Sequence, residues 1–347
     1  MQKNVYIIVL NYNSWADTLA CAESILGSDY QNFTLVIVDN ASKDDSMRYI
    51  RMWAEGKLES WTPPYDPLRS FSIPPQRKPL DFTYIEHPDY IESTKRQSKV
   101  VLIASDENKG YSAGNNHGIR YASVQGDFDY LWILNNDTVI EKETLRKLLL
   151  CAETKEKVYG LISTTLLFYD APDKIQAFGA TFNPFVAVQK HNLAHVPYKP
   201  ELIKSFDQTK LDYVIGASML LRKECIDTIG YMPEEYFIYF EEIDIATKCK
   251  NSGYKFHICS DAIVYHKESA SIDQIDQKAS AFSDFYAMRN RVIFTKKYYP
   301  YLLPTVYIGL FISLLLRLKR GDKSGMKNIL RVLKTPLSKI ETLVYKQ

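Results

Sequence analysis

Apolar residues fall in short unbroken runs of strand length, separated by stretches where they recur every three or four positions. Val5–Leu10 is such a run, and it predicts a strand covered on both faces. Beyond it, Asn13 or Ser14 can cap a helix whose apolar positions are Trp15, Leu19, Ala22, Ile25 and Leu26. Thr34–Val38 predicts a second strand ending in Asp39, Asn40, Ala41 and Ser42, with a helix following to about Gly56. Val100–Ala104, a helix from Ser112 to about Val124, and Tyr130–Leu134 repeat the alternation, the pattern of a mostly parallel α/β sheet. Polar residues gather just past the strands' carboxyl ends, where open sheets of this class bind ligands.

Two regions break the alternation. Residues 57–99 hold seven of the fifteen prolines and several aromatics, and are expected to form an irregular insertion without chemistry of its own. After Val158, Leu161–Phe168, Ile175–Phe182 and Tyr213–Leu221 predict strands with hairpin-style connections. A helix over Lys223–Ile229, a helix over Glu241–Asn251 and a strand over Phe256–Tyr265 ending at His266 follow. This mixed half is expected to extend the same sheet, giving one domain over residues 1–285 and a separate tail over 286–347.

Composition narrows the class. With 46% hydrophobic and 24% charged residues, the 347-residue chain is an ordinary globular protein, not a disordered or fibrous one. Five scattered cysteines without a Cys-x-x-Cys pair offer no zinc or dithiol motif and suit a reducing compartment. The N-terminus leads into the first strand without a cleavable leader, so a cytoplasmic body is expected. The net charge of +2 conceals an asymmetry: residues 286–347 carry 13 Lys and Arg against 2 Asp and Glu, leaving −9 for the rest. Inside that tail, Tyr298–Leu316 is uncharged and flanked by Lys296, Lys297, Arg317, Lys319 and Arg320. An anionic membrane surface is therefore the expected partner, with no nucleic acid called for. A helix begun at Pro304 would have about sixteen residues, short for a span, so attachment to the surface is expected. Met326, Ile329, Leu330 and Leu333, set among Lys323, Lys327, Arg331 and Lys334, predict a second, amphipathic helix lying in the interface. The alternative is that both helices pack on the sheet domain.

Three segments carry candidate chemistry. Asp137, after Asn135 and Asn136 at a strand end, can bind a hard cation or simply start a turn. Asn108–Gly118 places glycines at a strand-to-helix junction, where free N–H groups can face a phosphate, although a plain tight turn needs the same residues. Glu241, Glu242 and Asp244 follow the aromatic run Tyr236–Phe240. Carboxylates there complement a helix dipole or supply a general base, and the aromatics could line a sugar site. His266 is either structural or, if its strand end faces Asp137, a metal ligand.

These segments resemble the inverting glycosyltransferases of family 2 with the GT-A fold, in the subgroup of bacterial rhamnosyltransferases and galactofuranosyltransferases. The matching stretches are Tyr6–Asn13, Val36–Ser42, Asn108–Gly118, Leu134–Thr138, Gly216–Leu220 and Phe240–Asp244, then Gly253 and His266, in the family's order. The resemblance implies that Asn11, Tyr12 and Asn13 wall a nucleotide pocket and that Asp39 holds a pyrimidine base. Asn40, Gly110, Asn115 and Asn136 would complete the donor site. Asp137 matches the last acid of the family's Asp-x-Asp motif, with Asn135 in place of the first, and His266 would join it on Mg2+ or Mn2+. Glu242 matches the catalytic base, Glu241 is its adjacent competitor, and Asp244 completes the acidic cluster. Implied partners are a nucleotide-sugar donor, dTDP-rhamnose before a UDP-sugar, and a glycan or lipid-linked acceptor at the inner face of the cell membrane. Oligomeric state is left open. A sugar nucleotidyltransferase is a competing reading, but Asn11-Tyr12-Asn13-Ser14 stands where such an enzyme needs a glycine-rich basic loop. A non-catalytic, membrane-tethered binding subunit would not need Glu242 and His266.

Overall fold

The computed structural model describes residues 2–95, 98–267 and 277–345. In chain order the strands are β1 (Val5–Asn11), β2 (Phe33–Asp39), β3 (Phe82–Ile85), β4 (Val100–Ala104), β5 (Tyr130–Asn135), β6 (Thr138–Ile140), β7 (Tyr159–Phe168), β8 (Ile175–Ala177), β9 (Ala180–Asn183), β10 (Val188–His191), β11 (Ser218–Arg222) and β12 (Lys255–His266). The helices are α1 (Trp15–Leu26), α2 (Ser46–Ala54), α3 (Tyr111–Gln125), α4 (Thr144–Thr154), α5 (Pro200–Ser205), α6 (Lys223–Ile229), α7 (Glu241–Asn251), α8 (Gln277–Tyr298), α9 (Leu303–Arg320) and α10 (Lys323–Lys334).

Among the described residues, one sheet runs in the order β3-β4-β2-β1-β5-β11-β7-β12-β6, with β8 paired to β7 off that path and β9–β10 as a separate hairpin. The first five strands are mutually parallel. Strand β11 is antiparallel to both β5 and β7, and β12 is parallel to β7, so β12 ends at the same edge as β1 and β5. Alternate residues of each central strand enter opposite cores. Val5, Ile7 and Val9 pack with α1, α2 and α4, whereas Tyr6 and Ile8 pack with α3, α7 and the C-terminal helices. Burial on both faces explains why these strands read as continuous apolar runs.

The second half differs in detail from its sequence pattern. The expected strand over Ile175–Phe182 is two strands, broken at Gly179, whose φ of 62° is left-handed. The expected strand over Tyr213–Leu221 begins only at Ser218, and β6 and β10 are short strands that the pattern did not announce.

The tail is less separate than expected. Helix α8 runs across the anticipated boundary at residue 285, and its Phe285, Val292, Ile293 and Phe294 share a core with Tyr6 and Ile8. Arg317 of α9 forms a two-pronged ion pair with Asp284 of α8, and Asn328 of α10 donates to Asp284 (3.0 Å) and to the Ala281 carbonyl (2.8 Å). Of the α10 stripe expected to face lipid, Ile329 is buried against the protein beside Val332, Met326 and Leu333 are half-buried, and Leu330 is exposed. In helix α9, Val306 and Leu310 are buried, while Ile308, Phe311, Ile312, Leu315, Leu316 and Leu318 are exposed. By length and composition, Pro300–Arg320 is the one stretch among the described residues apolar enough to cross a membrane.

The insertion also has a structural task. Its Phe82–Ile85 is the parallel edge strand β3, and its chain is pinned to α1 through Glu23, which is buried. The Glu23 carboxylate accepts from Trp53 Nε1, the Gln76 backbone N–H and Lys78 Nζ, each at 2.7 Å. Glu23→Ala leaves three donors without their acceptor and is expected to cost about 3 kcal/mol. A chemical denaturation curve checks this; a variant as stable as the parent would mean that the insertion is held some other way.

Candidate active site

The parallel strands end together, and the polar residues that follow them bond into one network. Asn11 at the end of β1 donates from Nδ2 to Asp39 Oδ1 (2.6 Å) and to Ser42 Oγ (3.1 Å). Asp39 at the end of β2 also accepts from the Ser42 backbone N–H at 3.2 Å. Thr18 of α1 extends the chain, donating to Asn11 Oδ1 (2.7 Å) and accepting from Asn136 Nδ2 (3.0 Å). Asn11 and Asp39 are therefore buried framework, with Tyr12 and Asn13 exposed above them. Asn40 is buried too and braces the glycine turn, donating to Asn108 Oδ1 (3.0 Å) and the Gly110 carbonyl (3.2 Å). Gly110 opens α3 with φ 102°, and a Cβ there would lie 2.3 Å from the Phe237 carbonyl oxygen, so a side chain is excluded. One turn on, Asn115 donates to the Tyr111 carbonyl (3.0 Å), and its buried Oδ1 has no protein partner.

Farther along the same edge, Asp137 from the turn after β5 meets His266 from the end of β12. His266 Nε2 lies 3.1 Å from Asp137 Oδ1, and each side chain is 13% exposed. On the other side of the ring, Nδ1 is 2.8 Å from Gln176 Oε1 on β8. A proton on Nδ1 leaves the Nε2 lone pair turned toward Asp137, the tautomer a metal-binding histidine takes when its second nitrogen is held by a neighbour. No group of three or more His, Cys, Asp and Glu side chains able to hold a metal occurs among the described residues. Asp137 and His266 bring together a carboxylate oxygen and an imidazole nitrogen. That donor set fits a divalent cation whose other positions are taken by water or phosphate oxygens.

Tyr111, part of the Asn108–Gly118 segment but given no role by the sequence, stands between the end of β5 and the loop beside α7. Its hydroxyl lies 2.8 Å from Asn135 Oδ1 and 3.2 Å from the Gly216 carbonyl. Burial and then the charges of Glu241, Glu242 and Asp137 push its phenol far up, so it remains a neutral donor. Glu242 is partly accessible on the first turn of α7 beside Gly216, and burial pushes its carboxyl up to about 7. Glu241 is only 3% exposed and its Oε1 has no hydrogen-bond partner. Its carboxyl is raised well above the usual range by burial first and then by Glu242 and Asp244, with Arg289 opposing.

Two expectations change here. Asp244 stands apart from the cluster's accessible end: it is fully buried, its Oδ2 accepts from the Tyr236 hydroxyl (2.8 Å), and Lys297 Nζ lies 2.7 Å away. It locks α7 to α8. In the aromatic run before α7, Phe237 stacks on Tyr286 and Phe240 packs against Phe294, while Tyr239 is half-buried. Gln176 and Thr18 were missed because each is a polar residue without a motif around it, and Tyr111, inside the Asn108–Gly118 segment, was given no role of its own; only the fold brings the three to this edge.

Comparison with known proteins gives the arrangement its context. The sequence model described as "Glycosyltransferase like family 2" matches residues 89–281, more than half of the chain, and that of "Glycosyl transferase family 2" matches residues 6–63. The chain is 25% identical over 202 residues to the low-salt glycan biosynthesis hexosyltransferase Agl10 of Haloferax volcanii, covering 56% of this chain and 59% of the relative. It is 26% identical over 204 residues to the dTDP-rhamnosyl transferase RfbF of Shigella flexneri, covering 57% and 64%, and 24% identical over 154 residues to the rhamnosyltransferase WbbL of Escherichia coli, covering 42% and 57%. The chain thus spans less than two thirds of the length of each of these relatives. Among solved structures, the mannosyltransferase PcManGT from Pyrobaculum calidifontis, in complex with GDP-Man and Mn2+, superposes with a TM-score of 0.53 at 14% identity, covering 96% of this chain and 86% of that one. The order of the strands, the polar edge and these matches agree: the chain belongs to glycosyltransferase family 2 and has the GT-A fold.

Proposed function

We propose that this protein transfers a hexose from a pyrimidine nucleotide-sugar to a hydroxyl of a glycan or lipid-linked acceptor, with inversion at the anomeric carbon. The observation that carries the proposal is the meeting of Asp137 and His266, 3.1 Å apart, on the strand edge where the Tyr111 hydroxyl bonds both Asn135 and the Gly216 carbonyl beside Glu242. Asn11, Asp39 and Thr18 form the floor of the donor site, and exposed Tyr12 and Asn13 stand over it. Among the described residues, Asn115 Oδ1 has no protein partner and Asp39 Oδ2 accepts only from the Ser42 N–H (3.2 Å), and these are the acceptors that would meet the nucleoside. Asp137 and His266 hold a divalent cation, Mg2+ or Mn2+, which when bound stabilises negative charge on the donor diphosphate.

In the transfer itself, the acceptor oxygen forms a bond to the anomeric carbon as the bond from that carbon to the diphosphate oxygen breaks. The electron pair leaves on the nucleoside diphosphate, and Glu242 takes the acceptor proton. Glu242 suits this better than Glu241 because it is accessible, whereas Glu241 is sealed. The Tyr111 hydroxyl orients Asn135 beside the cation pair. dTDP-rhamnose is the first donor to test and UDP-sugars the second, on the strength of the similarity to RfbF and WbbL. We place the enzyme on the inner face of the cell membrane. The exposed apolar face of α9, with Lys319, Arg320, Lys323 and Lys327 beyond it, is the surface that meets anionic lipid.

A donor panel incubated with and without Mn2+ tests the activity: nucleoside diphosphate released from one donor supports transfer, whereas pyrophosphate release points to a nucleotidyltransferase and no release to a binding protein. Glu242→Gln is expected to lower kcat by at least about two orders of magnitude with donor affinity retained. Because a raised pKa keeps the base protonated at low pH, the wild-type rate should climb as pH passes about 7. A dead Glu241→Gln beside an active Glu242→Gln would transfer the role to Glu241.

The membrane assignment predicts that the protein floats with vesicles containing phosphatidylglycerol and less with purely zwitterionic ones. Ile312→Asp combined with Leu316→Glu should abolish flotation. Equal flotation of the double variant would remove α9 from the contact.

A further inference from the structure

The five residues ahead of α7 have a backbone that their sequence does not favour. Phe237, Tyr239 and Phe240 all adopt left-handed φ, at 68°, 68° and 80°, a region that bulky L-residues occupy at a cost. Apart from the Phe240 carbonyl, which accepts from the Asp244 N–H of α7 (3.0 Å), such a path does not satisfy its carbonyls through a helix or a strand, so they need donors from elsewhere. One side chain serves three of them. Asn290 of α8 is fully buried, and the two hydrogens of its Nδ2 are shared among the carbonyls of Tyr236 (3.1 Å), Ile238 (2.8 Å) and Tyr239 (2.9 Å). Its neighbour Arg289 donates to the Glu235 carbonyl, and Lys297, two turns on, reaches Glu235 Oε1 (2.6 Å) and Asp244 Oδ2 (2.7 Å). On the opposite side the same loop touches the donor site: the Tyr111 N–H donates to the Phe237 carbonyl at 2.7 Å, where Gly110 leaves no room for a side chain.

We propose that Asn290 is a positioning residue for transfer: by holding the left-handed loop 236–240 it sets where α7 begins, and so where Glu242 stands relative to the donor site. The proposal rests on the reading of Glu242 as the base. It gives the C-terminal segment a second task besides membrane contact, because α8 carries both this grip and the ties to α9 and α10. The geometry predicts a division of effects. Among the described residues no hydrogen bond joins the network of Asn11, Thr18, Asp39 and Asn136 to α8, so donor affinity should survive loss of the grip while the chemical step suffers.

Asn290→Asp keeps the shape and replaces the donating amide, and Asn290→Ala removes it. In the full-length protein, with the donor that supports turnover, both should lower kcat by about ten- to a hundredfold, as expected when a reacting group is misplaced by an ångström or so. The dissociation constants of dTDP and UDP in Mn2+, measured by calorimetry, should be unchanged. Lys297→Met, at a partly exposed position, tests the same grip if the Asn290 variants do not fold, and it should lower kcat in the same direction with nucleotide affinity intact. Unchanged kcat in the folded variants, or nucleotide affinity lost in parallel with kcat, would overturn the proposal. A Glu242→Gln enzyme that is dead while the Asn290 and Lys297 variants are fully active rejects the positioning role alone. An active Glu242→Gln rejects the base assignment beneath it.

Discussion

The carboxyl edge of the parallel strands is the constraint on which the rest of this structure depends. Strands covered on both faces have no place for polar side chains along their length, so polar chemistry is confined to where the strands stop. Four strands stop together at Asn11, Asp39, Ala104 and Asn135, and β12 brings His266 to the same edge. The residues just beyond are close enough to bond with one another, and they do so from Asn136 through Thr18 and Asn11 to Asp39. A buried polar network of this kind is stable only when its members are satisfied, which fixes their geometry before any ligand arrives.

Within that edge, burial divides three neighbouring carboxylates among three roles. Asp244 is neutralised by Lys297 and the Tyr236 hydroxyl and serves as a structural tie. Glu241 is sealed without a hydrogen bond to one of its oxygens, an environment that favours its protonated form. Glu242 alone is partly accessible, with its carboxyl moved by burial to about 7, close to where a general base is most effective. Sequence proximity could not separate these residues, because successive positions on a helix point in different directions and only the packing decides which of them sees solvent.

The parallel half of the fold was legible because its signal is local. Apolar runs and capped helices predicted β1, α1, β2, β4, α3 and β5 to within a residue or two at most ends, and the strand-end motifs led to Asp137 and His266. Long-range contacts were not legible. Gln176 reaches His266, and Asn290 reaches loop 236–240, through pairings that carry no periodic pattern. Helix α8 escaped notice for a related reason: apolar Phe285, Val292 and Phe294 are buried alongside polar Ser283, Arg289, Asn290 and Thr295, so it has no single apolar stripe. The tail was read only in part: the apolar surface expected of α9 is exposed, whereas the stripe of α10 is divided, with Ile329 buried against the protein and Leu330 exposed.

The central claim is that this edge holds a nucleoside diphosphate through a cation shared by Asp137 and His266. Calorimetric titration of dTDP and UDP into the full-length protein, in Mn2+ and in chelator, tests it most directly. The account predicts tight binding only with the metal, loss of that metal enhancement in Asp137→Ala, and a smaller loss in His266→Ala, where water can take the vacated position. Nucleotide binding that is indifferent to Mn2+, or an Asp137→Ala protein that keeps the full enhancement, would contradict it.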